Sequence, residues 1–401
     1  MVPLRVALFT DTFEEINGVA LTSRQFVDFA RRHDYPLFCV RGGSSTRNSV
    51  DGSVVHCELA RSRFVIHLDR GLLYDTVLWR SAIEIAKAVE EFRPDIVRVV
   101  SPGDVSTVGV YVAKKLKVPL AISWHTNLHE FGAMRLMNSL RWMPEGIRNA
   151  VGRFTEAQSL RICLAFYRKG DVLYAPNAEL VAMLRDGTGK PVFPMKRGID
   201  THLFDPAKRT LNDGILRIGY VGRITPEKSV RFLRDLEIAL QAQSAPPFRF
   251  LIVGDGSELD WLRDNLQNAD FRGVRRGAAL SQDFANMDVF AFPSRTDTFG
   301  NVVLEAFASG VPAVVTSAGG PKFIVREGLS GFVAYTDEEF VERVARLLSD
   351  GELRTAMGRA ARDQASGESW DEVFGHVYDG YLAALPLNPS HALNAIKTIH
   401  R

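Results

Sequence analysis

Cysteine is scarce in this chain: three residues, Cys39, Cys57 and Cys163, among 401. An odd count without C-x-x-C spacing argues against a disulfide framework or a structural zinc site and fits a reducing compartment. Long apolar runs are missing too. Nothing approaches the ~18 consecutive apolar residues of a membrane-spanning helix. The opening stretch MVPLRVALFTD turns polar at Thr10 and Asp11 and lacks the cleavage-site pattern of a secretory signal. A cytoplasmic location is expected. Nor is there an excess of charge: 49 Lys and Arg face 47 Asp and Glu, a net charge of +2. Without a broad basic face, no nucleic-acid partner is expected.

What remains is a globular composition, 46 % apolar and 24 % charged, with 32 Gly and 18 Pro. Disorder, collagen-like repeats and a coiled-coil rod are thereby excluded. The length of 401 residues suggests two or three domains at roughly 150 residues each. The charge balance breaks locally. Between Phe131 and Gly170 seven basic residues (Arg135, Arg141, Arg148, Arg153, Arg161, Arg168, Lys169) outnumber two acids (Glu145, Glu156), so this stretch carries +5 and the rest of the chain −3. It reads either as solvated helix faces or as a surface that meets anionic lipid or an anionic acceptor. Aromatic residues nearby, Phe64, Trp79, Trp142, Phe166 and Tyr167, carry the same two readings.

Short apolar runs alternate with helical patterns almost from end to end. Arg5–Thr10, Pro36–Val40, Asp95–Ser101 and Pro119–Trp124 are continuous and β-branched, as parallel strands covered on both faces are. Between them Ala20–Arg32, Val77–Glu91 and Val105–Leu116 have helical spacing. The rhythm restarts near residue 200 with strands at Ile215–Val221, Phe248–Val253, Asp288–Phe292 and Pro312–Thr316, and helices at Val230–Ala242, Glu258–Asn265 and Asn301–Ala308. Two α/β domains with doubly wound parallel sheets follow, joined near Pro191–Asp200, where Pro191, Pro194 and Gly198 interrupt the pattern. Trp370–Leu385 is an amphipathic helix, and the tail beyond Pro386 is polar.

Ligands of open α/β sheets sit beyond the carboxyl ends of the strands, so the residues just after each strand are the candidates. After the first strand, Asn17-Gly18 forms a turn whose glycine lets helix N–H groups approach an anion, although many strand–helix loops contain glycine. Ser123-Trp124-His125-Thr126-Asn127 follows another strand and offers hydrogen bonds suited to hydroxyl-rich ligands; a lone histidine there is more often structural than functional. Arg223 and Lys228, five residues apart around a Pro-containing turn, can reach one anionic group, the first as a planar fork and the second as a point charge. Gly254-Asp255-Gly256 and Gly319-Gly320-Pro321 are further turns. The strongest segment is Pro293–Ala306, in which Asp297 lies in a loop and Glu305 eight residues on, with Gly300 opening a helix whose first amides belong to Asn301 and Val302. Carboxylates beside an anion site make sense if they bind hydroxyls, as in a sugar nucleotide. No acid cluster has metal-ligand spacing, and no cofactor or metal is expected.

Together these segments resemble the retaining glycosyltransferases of family 4, which have the GT-B fold. The matching stretches are INGV (16–19), SWHTN (123–127), RGID (197–200), YVGRITPEKSV (220–230), VGDG (253–256), PSRTDTFGNVVLEAFASGVP (293–312) and SAGGPKFIV (317–325). Within the family the pattern is most similar to bacterial GDP-mannose-dependent mannosyltransferases. The resemblance implies two Rossmann-like domains facing across a cleft. An acceptor domain over 1–195 would be joined by a returning C-terminal helix, 370–401, and a donor domain would span 196–369. It implies that Arg223 and Lys228 hold the donor diphosphate, that Glu305 takes the ribose hydroxyls, and that Asp297 contacts the transferred sugar. Phe299, Gly300, Asn301 and Val302 would lie along that sugar and the phosphate, Gly18 beside the diphosphate, His125 near the reacting face, and Arg275 by the base. Two positions depart from the family: Asp297 stands where Glu is usual, and Asn127 where many relatives have Asp.

The activity so implied is hexose transfer, of mannose or glucose type, from a GDP- or UDP-sugar to a lipid or glycan hydroxyl. It would be metal-independent, with retained configuration by a front-face mechanism, and domain closure would exclude water. A sugar-nucleotide epimerase or a non-catalytic sugar-nucleotide-binding protein of the same fold is the alternative. Peripheral contact with an anionic membrane is a further expectation.

Overall fold

The computed structural model describes residues 3–15, 17–62, 65–69, 72–75, 77–127, 140, 144–243 and 245–385. Ile16, Phe64, Arg135, Arg141, Trp142 and the tail 386–401, all singled out above, lie outside the described residues. The chain divides into two compact units, Met1–Lys196 with Trp370–Arg401, and Arg197–Ser369.

The first unit is built on β1 (Val6–Thr10), β2 (Leu37–Gly43), β3 (Arg47–Asp51), β4 (Val54–Ala60), β7 (Ile96–Val99), β8 (Leu120–Ser123), β9 (Val172–Ala175) and β10 (Val192–Pro194). They form one eight-stranded sheet in the order β10-β9-β8-β7-β1-β2-β4-β3. β1 explains why such strands read as unbroken apolar runs. Ala7 and Phe9 enter one core with Val97, Val99 and Ile122, while Val6 and Leu8 enter another with Ile96 and Phe26. Both faces of the sheet are covered, so period-two alternation disappears.

The helix Trp370–Leu382 supplies the second of these cores. Trp370, Val373, Phe374, Val377, Tyr378 and Tyr381 pack there with Phe26 and Phe29 of the helix Gly18–Arg32. Arg98 of β7 is fully buried beneath it, donating to Tyr381 Oη at 2.8 Å and Ser123 Oγ at 2.9 Å, with its guanidinium 5.0 Å from the Phe26 ring. Among the described residues hydroxyls and aromatic faces, rather than a carboxylate, compensate this cation.

The second unit carries β11 (Leu216–Val221), β12 (Phe248–Val253), β13 (Ala269–Gly273), β14 (Val289–Phe292), β15 (Ala313–Thr316) and β16 (Gly331–Ala334), all parallel, in the order β13-β12-β11-β14-β15-β16. One core encloses both faces, with Ile218, Tyr220, Phe250, Phe290, Val303 and Phe307 among its buried members.

Three features depart from the sequence reading. β3 runs antiparallel to β4 at the edge of the first sheet, and β5 (Val65–Asp69) pairs antiparallel with β6 (Leu72–Asp75) as a separate ribbon. β3 is exposed along its length, so it has no apolar signature to read. The helix expected over Val77–Glu91 is a 3₁₀ turn, Leu78–Ser81, followed by the helix Ala82–Phe92. The join expected near Pro191–Asp200 falls between Lys196 and Arg197, but the pattern is not interrupted at Pro194: Val192–Pro194 is the outermost strand of the first sheet, where a missing N–H on the open side costs no ladder bond.

Candidate active site

In the second unit the carboxyl ends of β11, β14 and β15 deliver the charged segments. Gly222 follows β11, and Tyr220 Oη donates to the Arg223 carbonyl at 2.8 Å, fixing the turn. Pro226–Lys228 is a 3₁₀ turn. It buries Lys228 and aims its Nζ at Asp297 Oδ1, 2.5 Å away. Arg223 Nη2 lies 3.6 Å from Glu227 Oε1 in the same turn. The two cations are thus not bare: each has a local carboxylate. Glu227 was not singled out from the sequence, although its place beside Lys228 in the PEK turn was a signal.

Burial pushes the Asp297 carboxyl up, but Lys228, with smaller help from Ser294 and Arg223, more than offsets it and holds the group below the usual carboxylate range. The shorter Asp side chain is therefore committed to Lys228. Its second oxygen, Oδ2, is buried without a hydrogen-bond partner among the described residues.

Gly300 adopts φ 97°, a left-handed conformation that favours glycine. The chain thereby turns directly into the helix Asn301–Ala308, which has no side-chain cap, and the amides of Asn301 and Val302 lie in its first turn. A Cβ at Gly300 would come within 3.0 Å of Pro321 Cγ. The loop after β15 also braces this turn, because Gly320 N donates to the Asp297 carbonyl at 2.6 Å. Phe299 is buried, with the Arg197 guanidinium 5.6 Å from its ring. Glu305 lies on the same helix, half-buried, and its carboxyl makes no hydrogen bond or ion pair among the described residues. Burial pushes that carboxyl up to about 7.

Arg275 follows β13 and is set apart from this group. Its Nε lies 3.6 Å from Asp283 Oδ2, and Arg272 Nε lies 3.9 Å from Asp283 Oδ1. β12 separates β13 from β11 in the sheet.

Gly18 and His125 belong to the first unit. Gly18 opens the helix Gly18–Arg32, but Asn17 Oδ1 accepts from Ala20 N at 2.8 Å and so occupies part of that N-terminus. His125 is buried at the end of the segment that follows β8. Asn127 Oδ1 accepts the Trp124 indole N–H at 2.8 Å.

The sequence reading also passed over Asp11, the residue after β1. Ser101 Oγ at 2.9 Å, Ser106 N at 3.1 Å and Ser106 Oγ at 2.5 Å all reach its carboxyl. Asp11 thereby caps the helix Asp104–Leu116 from outside, and burial pushes its own carboxyl up to about 7. Gly103 at the N-cap leaves room for it: a Cβ there would lie 2.2 Å from Asp11 Cγ. Among the described residues no group of three His, Cys, Asp or Glu side chains is arranged to hold a metal ion.

The second unit thus offers two cations, open helix amides and two carboxylates at one sheet edge. The cations and amides suit an anion; the carboxylates suit hydroxyls.

Comparison with known proteins agrees with this arrangement. The family described as Glycosyltransferase Family 4 matches residues 17–203, and the one described as Glycosyl transferases group 1 matches residues 216–350. A GDP-mannose-dependent alpha-mannosyltransferase of Mycobacterium tuberculosis is 29 % identical over 398 residues, covering 94 % of this chain and 97 % of that one. A protein of the same description from Corynebacterium glutamicum is 24 % identical, covering 96 % and 90 %. Among solved structures, sucrose-phosphate synthase from Thermosynechococcus elongatus superposes with a TM-score of 0.72 at 15 % identity, over 95 % of this chain and all of that one (100 %). With both units matched in order, the chain belongs to the family 4, group 1 glycosyltransferases, enzymes with the GT-B fold.

Proposed function

We propose that this glycosyltransferase moves a mannosyl unit from GDP-mannose to a lipid or glycan hydroxyl, with retained configuration and without a metal ion. The observation that carries the reading is the grouping at one sheet edge of Lys228, Arg223, the uncapped helix start at Gly300 and the unpaired Glu305 carboxyl. The descriptions of the two bacterial relatives support the choice of donor.

In this reading Lys228 and Arg223 take the diphosphate, exchanging their local carboxylates for phosphate oxygens. The amides of Asn301 and Val302 face the same group. Charge that develops on the departing diphosphate is met by groups already in position, which is the main catalytic contribution. The C1–O bond to the β-phosphate breaks, the acceptor oxygen bonds to C1 on the same face, and the acceptor proton passes to the leaving β-phosphate oxygen. Glu305, ionised, accepts from the ribose diol. Asp297, released when Lys228 turns to phosphate, uses its buried Oδ2 toward a sugar hydroxyl. His125, Gly18 and Arg275 enter the reading through the family resemblance alone.

The helix Glu145–Tyr167 supports peripheral membrane contact: it exposes Ile147, Phe154 and Ile162 beside Arg153 and Arg161. This is the chemistry of an anionic lipid surface. Sedimentation with anionic but not zwitterionic vesicles checks it.

The test of the central reading is a calorimetric screen of GDP-, UDP- and ADP-sugars, followed by NMR of the product's anomeric linkage. Tight binding of GDP-mannose and an α-linked product are expected. Preference for another nucleotide, or a β-linkage, overturns the corresponding part.

A further inference from the structure

A cavity of about 420 Å³ opens on the second unit beside the loops that follow β15 and β16. Its wall combines Phe323 and Tyr335 with Lys322, Arg343, Glu327 and Glu339. Tyr335 is 75 % exposed and Phe323 43 % exposed, so two ring faces are open to solvent within one cavity wall. Both stand at the carboxyl edge of the sheet, where ligands of this architecture bind, but beyond the loop that carries Asp297.

The polar groups limit what fits. Two cations and two carboxylates line the cavity, so it has no net charge. Glu339 Oε2 accepts from Tyr335 N at 2.9 Å, and Glu339 Oε1 from Arg343 Nη2 at 3.0 Å. Glu327 Oε2 accepts from Val333 N at 2.6 Å. The two carboxylates are held in place and retain lone pairs for further donors. The adjoining helix Asp337–Ser349 is capped by Thr336 and carries Asp337, Glu338 and Glu339 in its first turn. Its N-terminus is thus already filled with negative charge, and a phosphate would be repelled. An uncharged molecule with hydroxyl donors and an apolar C–H face satisfies all of these features.

We propose that this cavity is a subsite for an uncharged hexose unit of a glycan, lying with its C–H face on Tyr335 or Phe323 and donating hydroxyls to Glu339 and Glu327. It is separate from the place the donor's own sugar takes, and it goes beyond the donor reading without requiring it.

Saturation-transfer NMR on the full chain with methyl α-D-mannopyranoside tests this, with mannose 6-phosphate as the anionic comparison. Transfer to the neutral glycoside and much weaker transfer to the phosphate are expected. Y335A should weaken the glycoside by about tenfold, the equivalent of one well-placed ring contact; F323A provides a second variant at another exposed position. In D297A and E305A, which disable the donor site, the signal should persist. Loss of the signal in D297A with retention in Y335A/F323A overturns the proposal, as does absence of transfer at tens of millimolar. Nucleotide binding in Y335A stays at the wild-type level in either case, so failure here leaves the donor reading to its own test.

Discussion

The carboxyl edges of the two sheets are built from the same kind of loop, but the helix starts beside the candidate residues are finished differently. In the first unit three helix starts are closed by the protein itself, while Ala82–Phe92 and Glu145–Tyr167 have no side-chain cap. Asn17 caps Gly18–Arg32, Asn177 caps Ala178–Thr188, and Asp11 reaches across from β1 to cap Asp104–Leu116. In the second unit the helix start at Gly300 has no side-chain cap, and the nearby charges are held in pairs that an incoming anion can exchange. A helix N-terminus filled by the chain's own carboxylate has no use for phosphate; one left open has. The difference leaves open amides and exchangeable cations in the second unit.

The largest effect expected from this contrast comes from Lys228. K228A removes the buried cation and leaves Asp297 charged and unpaired, and turnover should fall about 100- to 1,000-fold, the range for losing one preorganised electrostatic group. K228A/D297N, which removes the stranded charge, should recover stability but not turnover. Steady-state kinetics with thermal unfolding separates the two, and recovered turnover in the double variant would mean that Lys228 serves only to neutralise Asp297.

Glu305 gives the next effect, and pH reads it. Its carboxyl, pushed up to about 7 by burial, is largely protonated at pH 6 and ionised at pH 8. If the carboxylate accepts from a diol, nucleotide affinity rises as pH passes upward through 7, and E305Q flattens the profile and binds about 10- to 100-fold more weakly at pH 8. Stability moves the other way. A carboxyl whose folded value is raised above its unfolded one stabilises the fold at low pH, and that contribution is lost as pH rises through about 7. E305Q should therefore unfold later than the wild type at pH 8 while binding donor less well. Calorimetry at pH 6 and 8 checks both signs.

The sequence carried the sheets better than the contacts between loops. β1 was legible because residues on both of its faces enter cores, so VALFT is apolar at nearly every position. β3, exposed throughout, had nothing to announce it. Pro194 read as a break because its edge position is a property of the sheet order, not of the local sequence. At the site, Gly300 and Glu305 were legible from their spacing along one helix. The Lys228–Asp297 pair was not, since its partners are 69 residues apart and only the neighbouring positions of β11 and β14 bring them together. The Asn17 cap was readable from Asn standing just before a helical pattern. The role of Asp11 was not, because its donors come from residues about ninety positions away.

Asp11 gives the smallest effect on donor chemistry and the sharpest check of the contrast. D11A strips the partner from Ser101 Oγ, Ser106 Oγ and Ser106 N and uncaps a buried helix. Chemical denaturation should report a loss of about 3 kcal/mol, the sum of a lost cap and stranded buried donors. D11N keeps an acceptor for Ser106 N and removes a charge whose burial raises its carboxyl to about 7. The wild type gains stability as pH falls through 7, and D11N should not, so the two converge in acid and D11N is the more stable at pH 8. Neither substitution should alter nucleotide affinity if, as proposed, the second unit's cations and open amides carry the anion, since Asp11 lies in the first unit. A tenfold loss of nucleotide affinity in folded D11N would mean that the closed edge takes part in binding the anion after all.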